Sequence, residues 1–119
     1  MSHSISLQEA EEMTARFRNN RDVVLAAAYK GENILANSES FDRAELDQLL
    51  REPDCAGLRI YYGMDEKLLV HTILVGYNSK GEDILPARVS AGAGDDNTII
   101  MEKGIRCPDE CPPPSPLNP

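Results

Sequence analysis

The sequence contains no tryptophan and only two phenylalanines among its 119 residues, so large aromatic side chains cannot dominate its core. A chain of this length buries enough surface for one domain, and we expect a core of Leu, Ile, Val and Ala. Basic residues are also few, because twelve of them against twenty acidic ones give a formal charge of -8. This charge repels phosphate groups and anionic lipids, which argues against nucleic acids and membranes as partners.

No apolar run in the sequence approaches the roughly 20 residues that are needed to span a membrane. The N-terminal residues up to Glu12 also lack the apolar stretch of a secretory signal, and they soon become acidic. We therefore expect a cytoplasmic protein, in which the three cysteines stay reduced. With 41% hydrophobic and 27% charged residues, the composition is that of a folded globular domain.

A capping box marks the start of the first predicted helix. Ser6 and Glu9 have the spacing of such a box, and apolar residues then recur at helical intervals, which predicts a helix over residues 7–18. Residues 22–36 have conflicting secondary-structure preferences, since two valines favour a strand and three alanines favour a helix. We interpret it as a short helix that Asp22 caps and that ends near Gly31, followed by an extended segment over residues 33–39.

A second box predicts the next helix. Asp42 is the expected cap with Glu45 as its partner, and Phe41 before the cap can pack on Leu46 as a hydrophobic staple. The helix must end by Glu52, because a proline follows and disfavours helical dihedrals in the residue before it. Three leucines supply its predicted buried stripe: Leu46, Leu49 and Leu50.

The clearest pattern in the sequence is that of a β-hairpin. Residues 58–62 and 68–77 are rich in β-branched, aromatic and aliphatic side chains, with a short polar turn between them. Residues 78–81 match a type I turn closed by a glycine, so residues 82–85 return as a third strand, and residues 98–101 can add a short edge strand. The sequence thus predicts an α+β fold in which two or three helices pack on a three- to four-stranded antiparallel β-meander.

The register of this hairpin determines which side chains share a face. With a turn centred on residues 65–66, we expect Ile60 to lie opposite His71, on a largely apolar face. Arg59 and Tyr61 then project from the other face, where they are candidate interaction residues if no helix covers them. A histidine at such a position is more often a hydrogen-bonded core residue than a catalyst.

Beyond residue 86 the pattern weakens into a glycine- and aspartate-rich loop, Gly92 to Asn97. A phosphate cradle would require glycines that open onto a helix beside a lysine, and a calcium loop would require more oxygen ligands, so we interpret the segment as a solvated loop. Residues 107–119 hold six of the eight prolines, which predicts an irregular or polyproline II tail behind a single domain of residues 1–106.

Three cysteines and one histidine are the candidate metal ligands: Cys55, Cys107, Cys111 and His71. The two tail cysteines have a spacing found in zinc sites, but a structural zinc site needs four ligands, so the other two would have to be recruited from elsewhere in the fold. No cofactor is our first expectation and zinc the alternative. Free thiols are the first expectation for the cysteines, and a disulfide within the tail or from the tail to Cys55 is the second.

Catalytic chemistry has no local support in the sequence. Ser90 lacks the first glycine of a nucleophile elbow, which argues against a hydrolase triad. Asp109 and Glu110 disfavour a thiolate beside them, which argues against a reactive cysteine in the tail. An enzyme is therefore not indicated.

Three segments together resemble a family of small uncharacterised bacterial proteins. They are Pro53 to Tyr61 with the pattern Pro-x-Cys-x-Gly-x-Arg-x-Tyr, Val75 to Asp83 with the pattern Val-Gly-x4-Gly-x-Asp, and Cys107 to Cys111 with the pattern Cys-Pro-x-x-Cys. The family pattern has a glycine where this chain has Asp54 and a second proline where it has Asp109, so the chain departs from it at these two positions. The resemblance brings no known activity, but it implies that the three cysteines act together.

These observations predict a non-catalytic interaction or accessory module. Its expected partner is another protein or a second copy of the chain, bound through an edge strand or through the proline-rich tail. The alternative is a metal-binding or thiol-redox-linked protein that uses Cys55, Cys107 and Cys111.

Overall fold

The computed structural model describes residues 3–86 and 99–119, and in these ranges the protein is α+β with two α-helices and two antiparallel sheets. The chain forms two compact units, Met1–Glu39 with Ile105–Pro119, and Ser40–Gly104. Its elements in chain order are α1 (Leu7–Asn20), a 3₁₀ turn (Ala27–Tyr29), β1 (Ser38–Ser40), α2 (Arg43–Leu50), β2 (Cys55–Met64), β3 (Val70–Asn78), β4 (Asp83–Ile84) and β5 (Ile105–Cys107). Sheet order is β1-β5 in one sheet and β2-β3-β4 in the other.

The predicted first helix is confirmed as α1, including its cap. The Glu9 backbone N–H donates to the Ser6 side-chain oxygen over 3.0 Å, and the helix ends at Asn20, two residues beyond the prediction. The short helix expected after Asp22 is wrong, since only the 3₁₀ turn Ala27–Tyr29 forms there. A short helix depends on a packed face, whereas Val23 and Val24 are 66% and 73% exposed.

The chain terminus is built into the first unit through β5, which pairs with β1 and spans the predicted tail boundary after residue 106. The Asn37 N–H donates to the Cys107 carbonyl over 2.7 Å. The Arg106 guanidinium donates to the carbonyls of Asn33 and Ile34. Farther along, Ser115 exchanges two backbone hydrogen bonds with Asn118. The expected irregular tail is therefore corrected at both positions, because backbone pairing orders them.

In the second unit, α2 packs on the three-stranded sheet through Leu49, which is 1% exposed and contacts Leu74 and Met101. Phe41, Leu46 and Ile99 pack against this cluster. The second capping box is wrong, because Asp42 occupies the N-cap position without a side-chain hydrogen bond. Leu50 is 42% exposed and does not belong to the buried stripe, since a helix rotates it about 100° away from Leu49.

The hairpin is confirmed, but its predicted register is wrong by three residues. Ile60 lies opposite Leu74, and His71 lies opposite Gly63. The cause is the turn, because the Asp65 carboxylate accepts from the N–H groups of Lys67 and Leu69, and the turn is centred on residue 67 instead of between residues 65 and 66. Since side chains alternate between faces, an odd shift moves His71 to the face of Arg59 and Tyr61.

The third strand is confirmed in a shortened form as β4. Gly81 has a φ of +82° and its N–H donates to the Asn78 carbonyl over 2.9 Å, which is the predicted glycine-closed turn. Leu74 and Met101 exchange two backbone hydrogen bonds, so Met101 extends the sheet beside β3. Ser90 and the glycine- and aspartate-rich loop, with Gly92, Gly94, Asp95 and Asp96, lie outside the described residues. Among the residues that are described, no helix is long and apolar enough to cross a membrane.

Candidate interaction surface

β2 carries an exposed row of apolar side chains in the second unit. β2 is the terminal strand of its sheet, and within the described ranges no strand pairs with its other edge. Its side chains at alternate positions form what we call the apolar stripe: Leu58 (37% exposed), Ile60 (49%), Tyr62 (79%) and Met64 (62%). Alternate residues of a strand share a face, so these four side chains present one continuous apolar row.

The stripe is exposed because α2 covers the neighbouring strand. Leu49 of α2 contacts Leu74, and a Cβ atom at Gly76 would lie 3.6 Å from Leu49 Cδ2. Leu58 and Ile60, which lie directly opposite Gly76 and Leu74, keep 37% and 49% of their surface exposed. The stripe therefore lies on the face of the sheet that α2 packs against, but its side chains are not part of the buried core.

The predicted interaction residues Arg59 and Tyr61 lie together on the opposite face, and both bind Asp83 of β4. Arg59 Nη1 lies 2.5 Å from Asp83 Oδ1 and also donates to the Gly81 carbonyl. The Tyr61 hydroxyl donates to Asp83 Oδ2 over 2.5 Å. The polar groups of both residues thus have partners inside the sheet, and the single charge of β2 is neutralised there.

This network shifts the acidity of its members. The hydrogen bond from Tyr61, followed by that from Arg59, lowers the pKa of Asp83 below its usual 3.8. The same carboxylate raises the pKa of the Tyr61 phenol above 10.0, because it accepts a hydrogen bond from the neutral phenol. Both shifts favour the state in which Asp83 is charged and Tyr61 is neutral.

Tyr77 fills the centre of this face. The Arg59 guanidinium carbon lies 4.9 Å from the Tyr77 ring centroid, within the range of a cation–π contact. The ring also covers Gly57, its neighbour on β2, so closely that a Cβ atom there would lie 2.5 Å from the ring. A side chain at position 57 would therefore force the Tyr77 ring to shift.

His71 lies between two carboxylates at the other end of the same face. Its Nε2 is 2.8 Å from Asp65 Oδ2, and its Nδ1 is 3.2 Å from Glu102 Oε1 but makes no hydrogen bond among the described residues. A pocket of about 160 Å³ adjoins the three side chains. The hydrogen bond with His71 lowers the pKa of Asp65. Each ring nitrogen thus faces a carboxylate, an arrangement that ties the β2–β3 turn to the sheet.

The cysteines are divided between a disulfide and a free thiol. Cys107 and Cys111 are joined, with their Cα atoms 4.5 Å apart, so the disulfide within the tail replaces the free thiols we expected there. Cys55 is free and half-buried, and its thiol donates to the Gly57 carbonyl over 3.4 Å. In the part of the chain that the structure describes, no group of three or more His, Cys, Asp or Glu side chains could hold a metal ion.

Sequence reasoning missed Asp83 and Glu102 as partners, and it missed the stripe. The alternation of apolar residues at positions 58 to 64 was visible, but we assigned that face to the core. Asp83 was also visible as the last residue of a family-like segment. Comparisons of the chain with family models, with curated proteins and with solved structures find no match.

Proposed function

We propose that this protein is a non-catalytic interaction module that binds an extended segment of a protein partner along the outer edge of β2. The observation that carries this proposal is the apolar stripe on a strand whose outer edge is unpaired within residues 3–86 and 99–119. Strand addition combines these two features, because main-chain hydrogen bonds supply affinity and alternate side chains supply specificity.

The edge of β2 lacks the usual protection against pairing. Natural edge strands are blocked by lysines, prolines, strong bulges or short length. β2 is ten residues long, and its register irregularity lies at its start, between Cys55 and Gly57. Its one charged residue, Arg59, is bound by Asp83. An unblocked edge of this length supports a binding role.

The partner segment should be extended, with apolar side chains at alternate positions to cover the stripe. It should also be neutral or basic, since the chain carries a formal charge of -8 that repels acidic segments. The opposite face supports a non-catalytic role, because Asp83 already binds the polar groups of both Arg59 and Tyr61.

Affinity capture with three baits tests the proposal. The three baits are the unmodified chain, a Tyr62→Lys variant and a Val23→Lys control. The two substitutions are matched, because both residues are at least 66% exposed, but only Tyr62 lies on β2. We expect that the unmodified chain and the control capture one or more proteins that the Tyr62→Lys bait does not capture. If all three baits retain the same proteins, β2 is not the binding edge. Far-UV circular dichroism verifies that each variant is folded.

A second candidate function is thiol-redox chemistry at the Cys107–Cys111 disulfide. Cys107 is fully buried and Cys111 is exposed, so an attacking thiolate would reach the Cys111 sulfur, form a mixed disulfide and release the Cys107 thiolate. A second thiol of the reductant would then release Cys111 and complete the two-electron reduction. A permanent disulfide is rare in the cytoplasm, so in the expected compartment the bond would form and break.

Thiol counting in glutathione buffers tests this candidate. The oxidised protein has one titratable thiol, Cys55, and the reduced protein has three. A transition between these counts at a cytoplasmic glutathione ratio would support the redox function, and a count that stays constant would contradict it.

The zinc alternative requires the reduced form, because only thiolates ligate the metal. Elemental analysis of the reduced protein tests it, and it also tests whether the three cysteines act together as the family resemblance implies.

A further inference from the structure

We infer that the Cys107–Cys111 disulfide is a redox-controlled latch that holds the proline-rich end of the chain against α1. We call this end, residues 112–119, the terminal arm. The inference rests on the thiol-redox chemistry proposed above as the second candidate function, and it names what that chemistry regulates. All the residues involved belong to the first unit, Met1–Glu39 with Ile105–Pro119.

The disulfide attaches the start of the terminal arm to the sheet of the first unit. Cys107 is the last residue of β5 and is fully buried, and its carbonyl accepts from the Asn37 N–H over 2.7 Å. The Cα atom of Cys111 lies 4.5 Å from that of Cys107, so the residue that precedes the terminal arm is held at the end of the strand. The sheet therefore determines where the terminal arm begins.

The terminal arm is stiff because of its composition. Four of its first five residues are prolines: Pro112, Pro113, Pro114 and Pro116. Each proline ring fixes φ, so a proline-rich segment behaves as a semi-rigid spacer. Beyond the prolines at positions 112 to 114, Ser115 exchanges two backbone hydrogen bonds with Asn118, which closes a turn. A segment with so few free dihedrals takes its direction from the residue before it, which is Cys111.

Among the described residues, a single hydrogen bond joins the terminal arm to α1. Arg18 Nη1, in the last turn of the helix, donates to the Leu117 carbonyl over 2.9 Å, and the bond is exposed to solvent. One exposed hydrogen bond stabilises a conformation by less than the entropy that is lost when several flexible residues become ordered. The contact with α1 therefore requires that the terminal arm is already positioned, and the disulfide and the prolines together position it.

Reduction removes the constraint at the start of the terminal arm. Two electrons and two protons pass from a dithiol to the disulfide, which becomes the thiols of Cys107 and Cys111, while the dithiol becomes a disulfide. Residues 108–110 are then no longer closed in a ring. The 3.0 Å hydrogen bond from the Glu110 N–H to the Arg106 carbonyl is too weak to order them alone. They become a hinge, and the terminal arm moves away from α1.

Backbone amide relaxation, measured by NMR before and after complete reduction with a dithiol, tests the inference. The full chain carries Cys55→Ser, so that the disulfide is the only group that the dithiol changes. The order parameter of the Leu117 amide should fall from about 0.85 in the oxidised protein to below about 0.6 in the reduced protein. The Asn37 amide, which is bonded to β5, should stay rigid in both states.

Three further variants in the same Cys55→Ser background separate the disulfide from the contact that it positions. Cys111→Ser should have a mobile terminal arm without any reductant, because the disulfide cannot form. Arg18→Gln should have a mobile Leu117 amide even when the disulfide is intact, since the donor to its carbonyl is lost. Arg16→Gln removes the same charge two residues earlier on α1, and it is the matched control that should leave the terminal arm rigid.

Equal order parameters of the terminal arm in the oxidised and the reduced protein overturn the inference. Loss of order at Asn37 on reduction also overturns it, because the disulfide would then support β5 itself. The thiol counts in glutathione distinguish failure of the inference from failure of the redox function. A count that changes from one to three while the terminal arm stays rigid supports the redox function and contradicts the latch. A constant count, with a terminal arm that a strong dithiol releases, supports the latch and contradicts the redox function.

Discussion

Arg59 on β2 forms an ion pair with Asp83 on β4, across the intervening strand β3 and beside the ring of Tyr77. Tyr61 reaches the second oxygen of the same carboxylate. Asp83 of the two-residue strand β4 therefore binds Arg59 and Tyr61 of β2. These contacts connect the three strands on the face opposite α2. This arrangement leaves the outer edge of β2 uncharged.

Asp83 is expected to make stability depend on acid pH. Its folded pKa is lowered, so its contribution to stability is complete above its usual pKa of 3.8 and is lost as the pH falls through the lower folded value. Asp83→Asn should be less stable than the unmodified chain at neutral pH, and the difference should shrink below about pH 4. Urea unfolding at several pH values measures this. A difference that is independent of pH would contradict the assigned role of the charge.

Tyr61→Phe should raise the pKa of Asp83 towards its usual value, because the hydrogen bond from Tyr61 is the largest cause of the shift. NMR titration of the Asp83 carboxyl carbon measures the change. Tyr62→Phe is the matched control, since Tyr62 is 79% exposed on the other face. Equal titration curves for Tyr61→Phe and the control would show that the hydrogen bond does not persist in solution.

Gly57→Ala should destabilise the protein by about 1–3 kcal/mol, because the new methyl group would overlap the Tyr77 ring and displace it. The same substitution should cost much less in a Tyr77→Ala background, where the ring is absent. Denaturant unfolding of the two single variants and the double variant measures the coupling. Additive effects would mean that the ring does not cover Gly57.

Leu49→Ala should destabilise the protein by about 2–5 kcal/mol, because it leaves a cavity between α2 and the sheet. Leu50→Ala is the neighbouring control and should cost well under half as much, since Leu50 is 42% exposed and Leu49 only 1%. Thermal or urea unfolding distinguishes the two. Equal losses would support the sequence-predicted stripe that includes both leucines.

Asp65→Ala should loosen the β2–β3 turn, because its carboxylate binds His71 and accepts from the N–H groups of Lys67 and Leu69. Amide hydrogen exchange at these two residues should be faster than in the unmodified chain. Glu66→Ala, which removes the same charge one residue later, should leave the exchange rates unaltered. Unchanged exchange in Asp65→Ala would exclude the carboxylate as the organiser of the turn.

Features that depend on near neighbours in the chain were predictable. The cap of α1 needs only Ser6 and Glu9, and the turn before β4 needs only Gly81 with its positive φ. The strand register depends on more than near neighbours, because the Asp65 carboxylate organises a turn centred on residue 67, whereas the composition suggests a centre between residues 65 and 66. The resulting register shift places His71 on the other face of the sheet and opposite Gly63, so the predicted pair of Ile60 and His71 does not form.

The candidate site was predictable only in part for the same reason. Arg59 and Tyr61 were identified as a pair on one face, but their common partner Asp83 lies 22 residues or more away in sequence, and only strand pairing brings it near. The pairing of Cys107 with Cys111 was one of several alternatives that spacing left open.

By itself the sequence determined the α+β class, the first helix, the hairpin and the low positive charge, since these follow from periodicity, capping and composition. Tertiary structure decided which apolar side chains are buried. Alternation places Leu58, Ile60, Tyr62 and Met64 on one face, but it does not say how far a short helix extends across that face. Because α2 packs on Leu74 and Gly76 of the central strand, the row on β2 stays exposed.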